Sequence, residues 1–298
     1  PAPYNAIRER DFPRKSLSRI ALYGAGVRHT YKGGTGSGEV NSRFYDTVEK
    51  GFENAGVKIT TKGWLDAYDK VKEEAFKKFV EDVKKEAKGA HTNVLIMCMG
   101  KSMPAPEYSI SLDGEGDTAV YVVSRESGEG NDRADVKGEI LLSDTEIRDI
   151  LKRNTMYEHF MLVLNVGGVV DLSHVMDVEN ILILSQLGVE TGDALADIVL
   201  GKANPSGKLT TTWAAWKDYP QLIEFGGYDE TRYKEGIYVG YRYFDSADVK
   251  PLFPFGFGLS YTSFEIGEAE VSCLGETVSV KVPVKNTGTC GGKETVQV

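Results

Sequence analysis

The feature that most constrains this chain is an exchange of two hydrophobic periods over its first two thirds. Short, continuous apolar runs, RIALYG (19–24), NVLIMCMG (93–100), TAVYVVS (118–124), HFMLVLNVGG (159–168) and ENILILSQLG (179–188), read as strands buried on both faces. Between them, segment 64–88 carries Tyr68, Val71, Phe76, Phe79, Val80 and Val83 at helical spacing amid dense charge. Ser143-Asp144-Thr145-Glu146 has the pattern of a capping box ahead of a second helix. ETGDALADIVLG (190–201) predicts a short helix ending at a glycine, and KLTTTW (208–213) a last strand. Strand–helix alternation with unbroken apolar strands implies a mostly parallel sheet flanked by helices.

Near residue 262 the helical period disappears. VSVKVPV (278–284) alternates, NTG marks a turn, and KETVQV (293–298) predicts a further strand. This is the pattern of a β-sandwich, which needs about seven strands and about 100 residues. Residues 262–298 are too few, so an incomplete sandwich and a piece of a longer polypeptide are expected. The expected organisation is an α/β domain over 1–261 and a truncated β domain over 262–298.

Composition excludes several classes. Lys and Arg total 35 against 44 Asp and Glu, a net charge of −9, which repels a polyphosphate and argues against nucleic acid as a partner. No apolar run approaches the length of a membrane span, so no membrane partner is expected. PAPYNAIRERDFPRK has no apolar core of a signal peptide, although a start at Pro rather than Met leaves export open. Cys98, Cys273 and Cys290 are sparse and odd in number, Cys98 reading as a buried thiol. His29, His91, His159 and His174 share no ligand spacing, and no metal or other cofactor is expected.

Two loops carry candidate chemistry. YKGGTGSGEVN (31–41) follows the first strand. Its glycines permit close approach to a ligand, yet it matches neither phosphate-binding glycine pattern, and Thr35 and Ser37 offer hydroxyls to a neutral polar ligand. VSRESGEGNDR (123–133) leaves the carboxyl end of a strand, where parallel sheets bind ligands. There Glu129 stands between Gly128 and Gly130, flanked by Arg125 and Arg133. It suits either proton transfer to a substrate or a solvated loop pinned by arginine–carboxylate pairs. The tyrosines of YDETRYKEGIYVGYRYFD (228–245) suit core packing more than sugar stacking, and FPFGFGLSYTSF (253–264) reads as a domain-exit turn.

Taken in order, IALYGAG with KGGTGSGEVN, VSRESGEGNDRADVKGEILLSDTE, VLNVGGVVDLS, GDALADIVLGKANPSGKL, and EGIYVGYRYFD with PLFPFGFGLSYTSFE resemble family 3 glycoside hydrolases, the β-glucosidase and β-xylosidase family. The tail resembles the fibronectin type III-like domain that follows in that family. The resemblance implies a flavodoxin-like α/β sandwich working against a catalytic barrel. It makes Glu129 the general acid/base, places Ser37 beside the sugar, and makes Arg125 and Arg133 supports of the loop. It also implies a nucleophilic aspartate on a barrel, and a barrel needs about 250 residues that this chain does not spare. Either the barrel precedes this piece, or the domains are permuted and it follows.

A retaining glycosidase sets two carboxyl groups about 5–5.5 Å apart. Asp113, Glu115 and Asp117 lie at the wrong end of the strand to partner Glu129, and Glu126 and Asp132 share its loop with the arginines. The chain alone is therefore expected to be inactive, with Glu129 exposed and titrating as an ordinary glutamate. The expected substrate is a β-linked oligosaccharide or aryl glucoside, with β-xylosidase or another exo-β-glycosidase as the nearest alternative. A non-catalytic sugar-binding or scaffold module and a nucleotide-binding domain are alternatives of other classes. The acidic balance and missing leader suggest a bacterial cytoplasmic enzyme.

Overall fold

The computed structural model describes residues 12–94, 97, 101, 103–126, 129, 133–220, 230 and 232–298. These form two compact units. One comprises residues 16–197 with 215–217. The other comprises residues 12–15 and 198–214 with the described residues of 218–298.

The larger unit is built on a five-stranded parallel sheet. In chain order β1 is Arg19–Tyr23, β2 Lys58–Ile59, β3 Thr118–Arg125, β4 His159–Val166 and β5 Ile181–Ile183, and the spatial order is β2-β1-β3-β4-β5. Helices α1 (Val48–Asn54), α2 (Lys62–Gly89) and α3 (Asp144–Met156) connect the strands, and α4 (Thr191–Val199) follows β5. Every residue of β3 and β4 is buried, as continuous apolar runs require when both faces of a sheet are covered. The chain moves outward from β1 to β2, then returns to lay β3 on the other side of β1. The carboxyl ends of β1 and β3 therefore frame the switch point of the sheet, where open α/β sheets bind ligands.

Local signals set the helices. Ser143 caps α3: its hydroxyl accepts from the Glu146 N–H, and the Glu146 carboxylate accepts from the Ser143 N–H. Helix α2 buries Trp64, Leu65, Tyr68, Val83 and Ala87, while Phe76, on its apolar spacing, is 55% exposed. Trp64 stacks on Tyr68 at 5.4 Å, and Tyr23 and Tyr108 meet it edge-on. The buried residues of this 28-residue helix lie toward its two ends, so its middle turns contribute less to the core than periodicity suggests.

The expected strand at 93–100 is corrected. Val94 and Met97 are helical, and the Met97 N–H donates to the Asn93 carbonyl at 3.0 Å, while positions 95, 96 and 98–100, Cys98 included, lie outside the described residues. A short apolar run has no period that separates buried helix from buried strand. Segment 208–213 is likewise no strand: Trp213 alone makes a bridge, antiparallel to Phe253.

In the smaller unit, β6 (Phe264–Ile266) pairs with β9 (Val284–Asn286), and β7 (Glu270–Leu274) forms a hairpin with β8 (Thr277–Lys281). The run expected as one strand over 278–284 is split between β8 and β9 at Pro283, which has no N–H for a ladder. Residues 293–298, expected to begin a strand, pair with none. Val271 faces Val280 and Cys273 faces Val278 across the hairpin, with Val271 and Val278 exposed. Helix α5 (Tyr241–Ser246) buries Phe244 edge-on to Tyr219 at 5.2 Å. Tyr233, Tyr238 and Tyr241, expected mostly as packing residues, are exposed, and positions 221–229 and 231 lie outside the described residues. Among the described residues no helix is long and apolar enough to cross a membrane.

Candidate active site

The loop after β1 and the loop after β3 meet at the switch point. Ser37 and Glu129, 92 positions apart, touch there: the Ser37 N–H donates to Glu129 Oε2 at 2.8 Å, and the Ser37 hydroxyl donates to the same oxygen. The Glu129 N–H donates back to the Thr35 carbonyl at 3.2 Å. Thr35 thus enters through its backbone, not through the hydroxyl its side chain offers. Gly36 makes the approach feasible. It has φ +88°, and a Cβ there would stand 2.7 Å from the Glu129 Cβ.

Glu129 is exposed, as expected, but not an ordinary glutamate. The Ser37 hydroxyl and then the Ser37 N–H stabilise its charged form and hold its carboxyl below the usual range. The sequence could not show this, because both donors come from a loop that only the sheet topology brings near.

Neither flanking arginine bonds to Glu129 among the described residues. Arg125, at the end of β3, is buried and forks onto Glu146 with bonds of 2.9 and 2.7 Å. Its Nε donates to the Glu139 carbonyl at 2.8 Å and its Nη1 to the Ser124 carbonyl at 2.9 Å. Arg133 donates to the Val169 carbonyl at 2.7 Å, beyond the end of β4, and burial lowers its pKa. The span between them is therefore anchored at both ends, on the first turn of α3 and on the loop after β4.

Two further residues support the loops and were not singled out from sequence. Glu146 was visible as a capping partner, but its second role, as counter-ion to Arg125, was not. Asn165 interrupts the apolar run of β4, and a polar residue in such a run is the signal that was available. It is fully buried: its Oδ1 accepts from the Tyr31 N–H at 2.6 Å, and its Nδ2 donates to the carbonyls of Tyr31 and Ser185 at 2.9 and 2.6 Å. The Tyr31 hydroxyl lies 3.4 Å from Glu126, and burial, followed by that carboxylate, pushes its pKa up. Lys72, Tyr31, Tyr68 and Glu126 line a small pocket behind this loop, separate from Ser37 and Glu129.

The other acids considered as partners for Glu129 sit elsewhere. Asp113 pairs with Lys152 and Arg153, each at 3.2 Å, ahead of β3 and so at the amino end of the strands. Asp117, at the same end, has its ligand atoms within 4.8 Å of those of Glu158 and His159. Asp132 lies outside the described residues.

A 2-1-3-4-5 parallel sheet whose switch point presents a loop-borne carboxylate defines an α/β ligand-site domain of flavodoxin-like order. Residues 12–261 match the glycosyl hydrolase family 3 C-terminal domain, and the chain belongs to that family. β-Glucosidase A of Butyrivibrio fibrisolvens is 34% identical, over 96% of this chain and 38% of its own length. Thermostable β-glucosidase B of Acetivibrio thermocellus is 30% identical, over 96% of this chain and 35% of its own. Among solved structures, β-glucosidase 3B of Thermotoga neapolitana in complex with glucose is 34% identical with a TM-score of 0.77, over 94% of this chain and 39% of that one. The chain thus spans less than two fifths of the length of these relatives.

Proposed function

We propose that this chain supplies the acid/base part of a retaining β-glucosidase that hydrolyses terminal, non-reducing β-D-glucosyl residues. The observation that carries the reading is the paired donation of Ser37 to Glu129 at the switch point of the sheet. It commits one carboxylate oxygen, and the other, which accepts no hydrogen bond among the described residues, serves the leaving group. The β-glucosidase names of the relatives, one of them solved with glucose, support the substrate class.

In this mechanism Glu129 protonates the glycosidic oxygen and then removes a proton from water, while an aspartate on a barrel domain of the same polypeptide attacks the anomeric carbon. An acid needs a raised pKa, and Glu129 begins with a lowered one. The bound sugar resolves this. The Ser37 hydroxyl rotates from Glu129 to a sugar hydroxyl, water leaves, and the nucleophile's like charge adds to the rise. Arg125 and Arg133 hold the ends of the loop, and Thr35 fixes its middle. The modular reading remains an α/β domain to residue 261 and the start of a fibronectin type III-like domain from 262, in a bacterial cytoplasmic enzyme.

The test is release of p-nitrophenol from aryl β-glucoside and β-xyloside by this chain and by Glu129→Gln, each alone and with a family 3 barrel added in trans. Turnover that needs the barrel, prefers glucoside and is lost in Glu129→Gln is the expected result. Turnover by the lone chain, or barrel-dependent turnover indifferent to Glu129→Gln, overturns the reading, and preference for xyloside moves the substrate to the pentose.

A further inference from the structure

We infer that Asn165 is a positioning residue for the Ser37–Glu129 pair, acting through Tyr31. The inference rests on the reading of Glu129 given above but concerns how that group is held.

Asn165 sits on β4, two strands from the loop that carries Ser37. Its carboxamide grips both polar backbone groups of Tyr31 and the carbonyl of Ser185, at distances of 2.6 to 2.9 Å. Ser185 has φ +56°, a left-handed conformation that a serine holds only against some strain. One side chain therefore ties the segment after β1, the end of β4 and the segment after β5 into a single frame. The tie continues along the loop, because the Gly188 N–H donates to the Lys32 carbonyl at 2.8 Å.

Tyr31 stands one residue, Lys32, ahead of the glycine-rich stretch. From there the chain has only five residues to reach Ser37, among them Gly33, Gly34 and Gly36. A glycine-rich segment this short is directed by how its root is held, since its own backbone prefers no single path. The Tyr31 hydroxyl also reaches Glu126, three positions before Glu129, so the same residue touches the second loop. Asn165 thus sets the root of one loop at its backbone and meets the other through the phenol. A second buried asparagine serves for comparison: Asn180 donates to the Phe160 carbonyl at 3.1 Å, toward the start of β4, and has no hydrogen bond to either loop among the described residues.

The readout is the titration midpoint of the Glu129 side-chain carboxyl, followed by NMR in this 298-residue chain with labelled glutamate. Ser37→Ala calibrates the scale, because it removes one of the two donors. Asn165→Ala is expected to raise the midpoint by at least half the Ser37→Ala shift, while Asn180→Ala lowers the melting temperature and leaves the midpoint in place. Asn165→Asp keeps the acceptor for the Tyr31 N–H and loses both donations, and its midpoint is expected between the two. It also decides the matter should the alanine variant not fold. A wild-type midpoint in a folded Asn165 variant, an equal shift in Asn180→Ala, or failure of both Asn165 variants to fold overturns the inference and leaves Asn165 a stability residue. Failure of the acid/base reading appears elsewhere, as barrel-dependent turnover indifferent to Glu129→Gln.

Discussion

The Arg125 guanidinium and the Glu146 carboxylate lock as a fork, Nη1 to Oε1 at 2.9 Å and Nη2 to Oε2 at 2.7 Å, with both side chains buried. The same carboxylate caps α3 by accepting from the Ser143 N–H at 2.8 Å. One glutamate thus joins the end of β3, where the Glu129 loop departs, to the start of the next helix. Glu146→Gln keeps an oxygen for the cap but leaves the guanidinium buried without a counter-charge. Its expected loss of stability is about 3–5 kcal/mol, read from urea unfolding. Replacing both partners with apolar residues, as in Arg125→Met with Glu146→Leu, is expected to recover most of the pair's share and to keep the loss of the cap and of the Arg125 bonds to the Glu139 and Ser124 carbonyls.

Ser143→Ala probes the cap by itself. It removes the hydroxyl that accepts from the Glu146 N–H and leaves the ion pair intact. A loss of about 0.5–2 kcal/mol is expected. A loss as large as that of Glu146→Gln would mean the ion pair contributes little beyond the cap.

The Ser37–Glu129 contact predicts the sign of a pH effect. A carboxyl whose folded pKa is depressed binds protons more weakly in the folded than in the unfolded chain. Its contribution to stability is therefore present above the unfolded value of about 4.3 and is lost as pH falls through the lower folded value. Ser37→Ala is expected to raise the Glu129 midpoint by NMR and to narrow the acid-side difference in stability. It leaves the Ser37 N–H in place, so the midpoint stays below that of a free glutamate.

The first turns of α1 and α4 meet backbone to backbone around Thr47, Gly51 and Gly192. A Cβ on Gly192 would stand 1.9 Å from the Thr47 carbonyl oxygen, and one on Gly51 would stand 2.2 Å from the Gly192 carbonyl. Either Gly192→Ala or Gly51→Ala forces the helices apart and breaks the Asn54–Asp193 hydrogen bond at 3.0 Å. Thermal unfolding is expected to register a loss of about 1–3 kcal/mol or more for each. A melting temperature unchanged from the parent chain would refute the close approach.

Much of this molecule was written in local pattern. The strands at 19–23, 118–125 and 159–166, the long helix α2 and the cap at Ser143 follow from residue periods and side-chain chemistry that act over a few positions. Motif order also named the family that residues 12–261 match, and pointed to Ser37 and Glu129. The tertiary structure decided what lies across the sequence. Order 2-1-3-4-5 brought residues 37 and 129 into contact and thereby lowered the Glu129 pKa. Asn165 and Glu146 acquired their second partners in the same way, 134 and 21 positions away. The run at 93–100 and the outward face of Phe76 were decided there too, because an apolar residue specifies burial but not which neighbour supplies it. Periodicity reports the face a residue shows within its own element; hydrogen bonds and charges between elements depend on which strands lie side by side, and that is a property of the whole sheet.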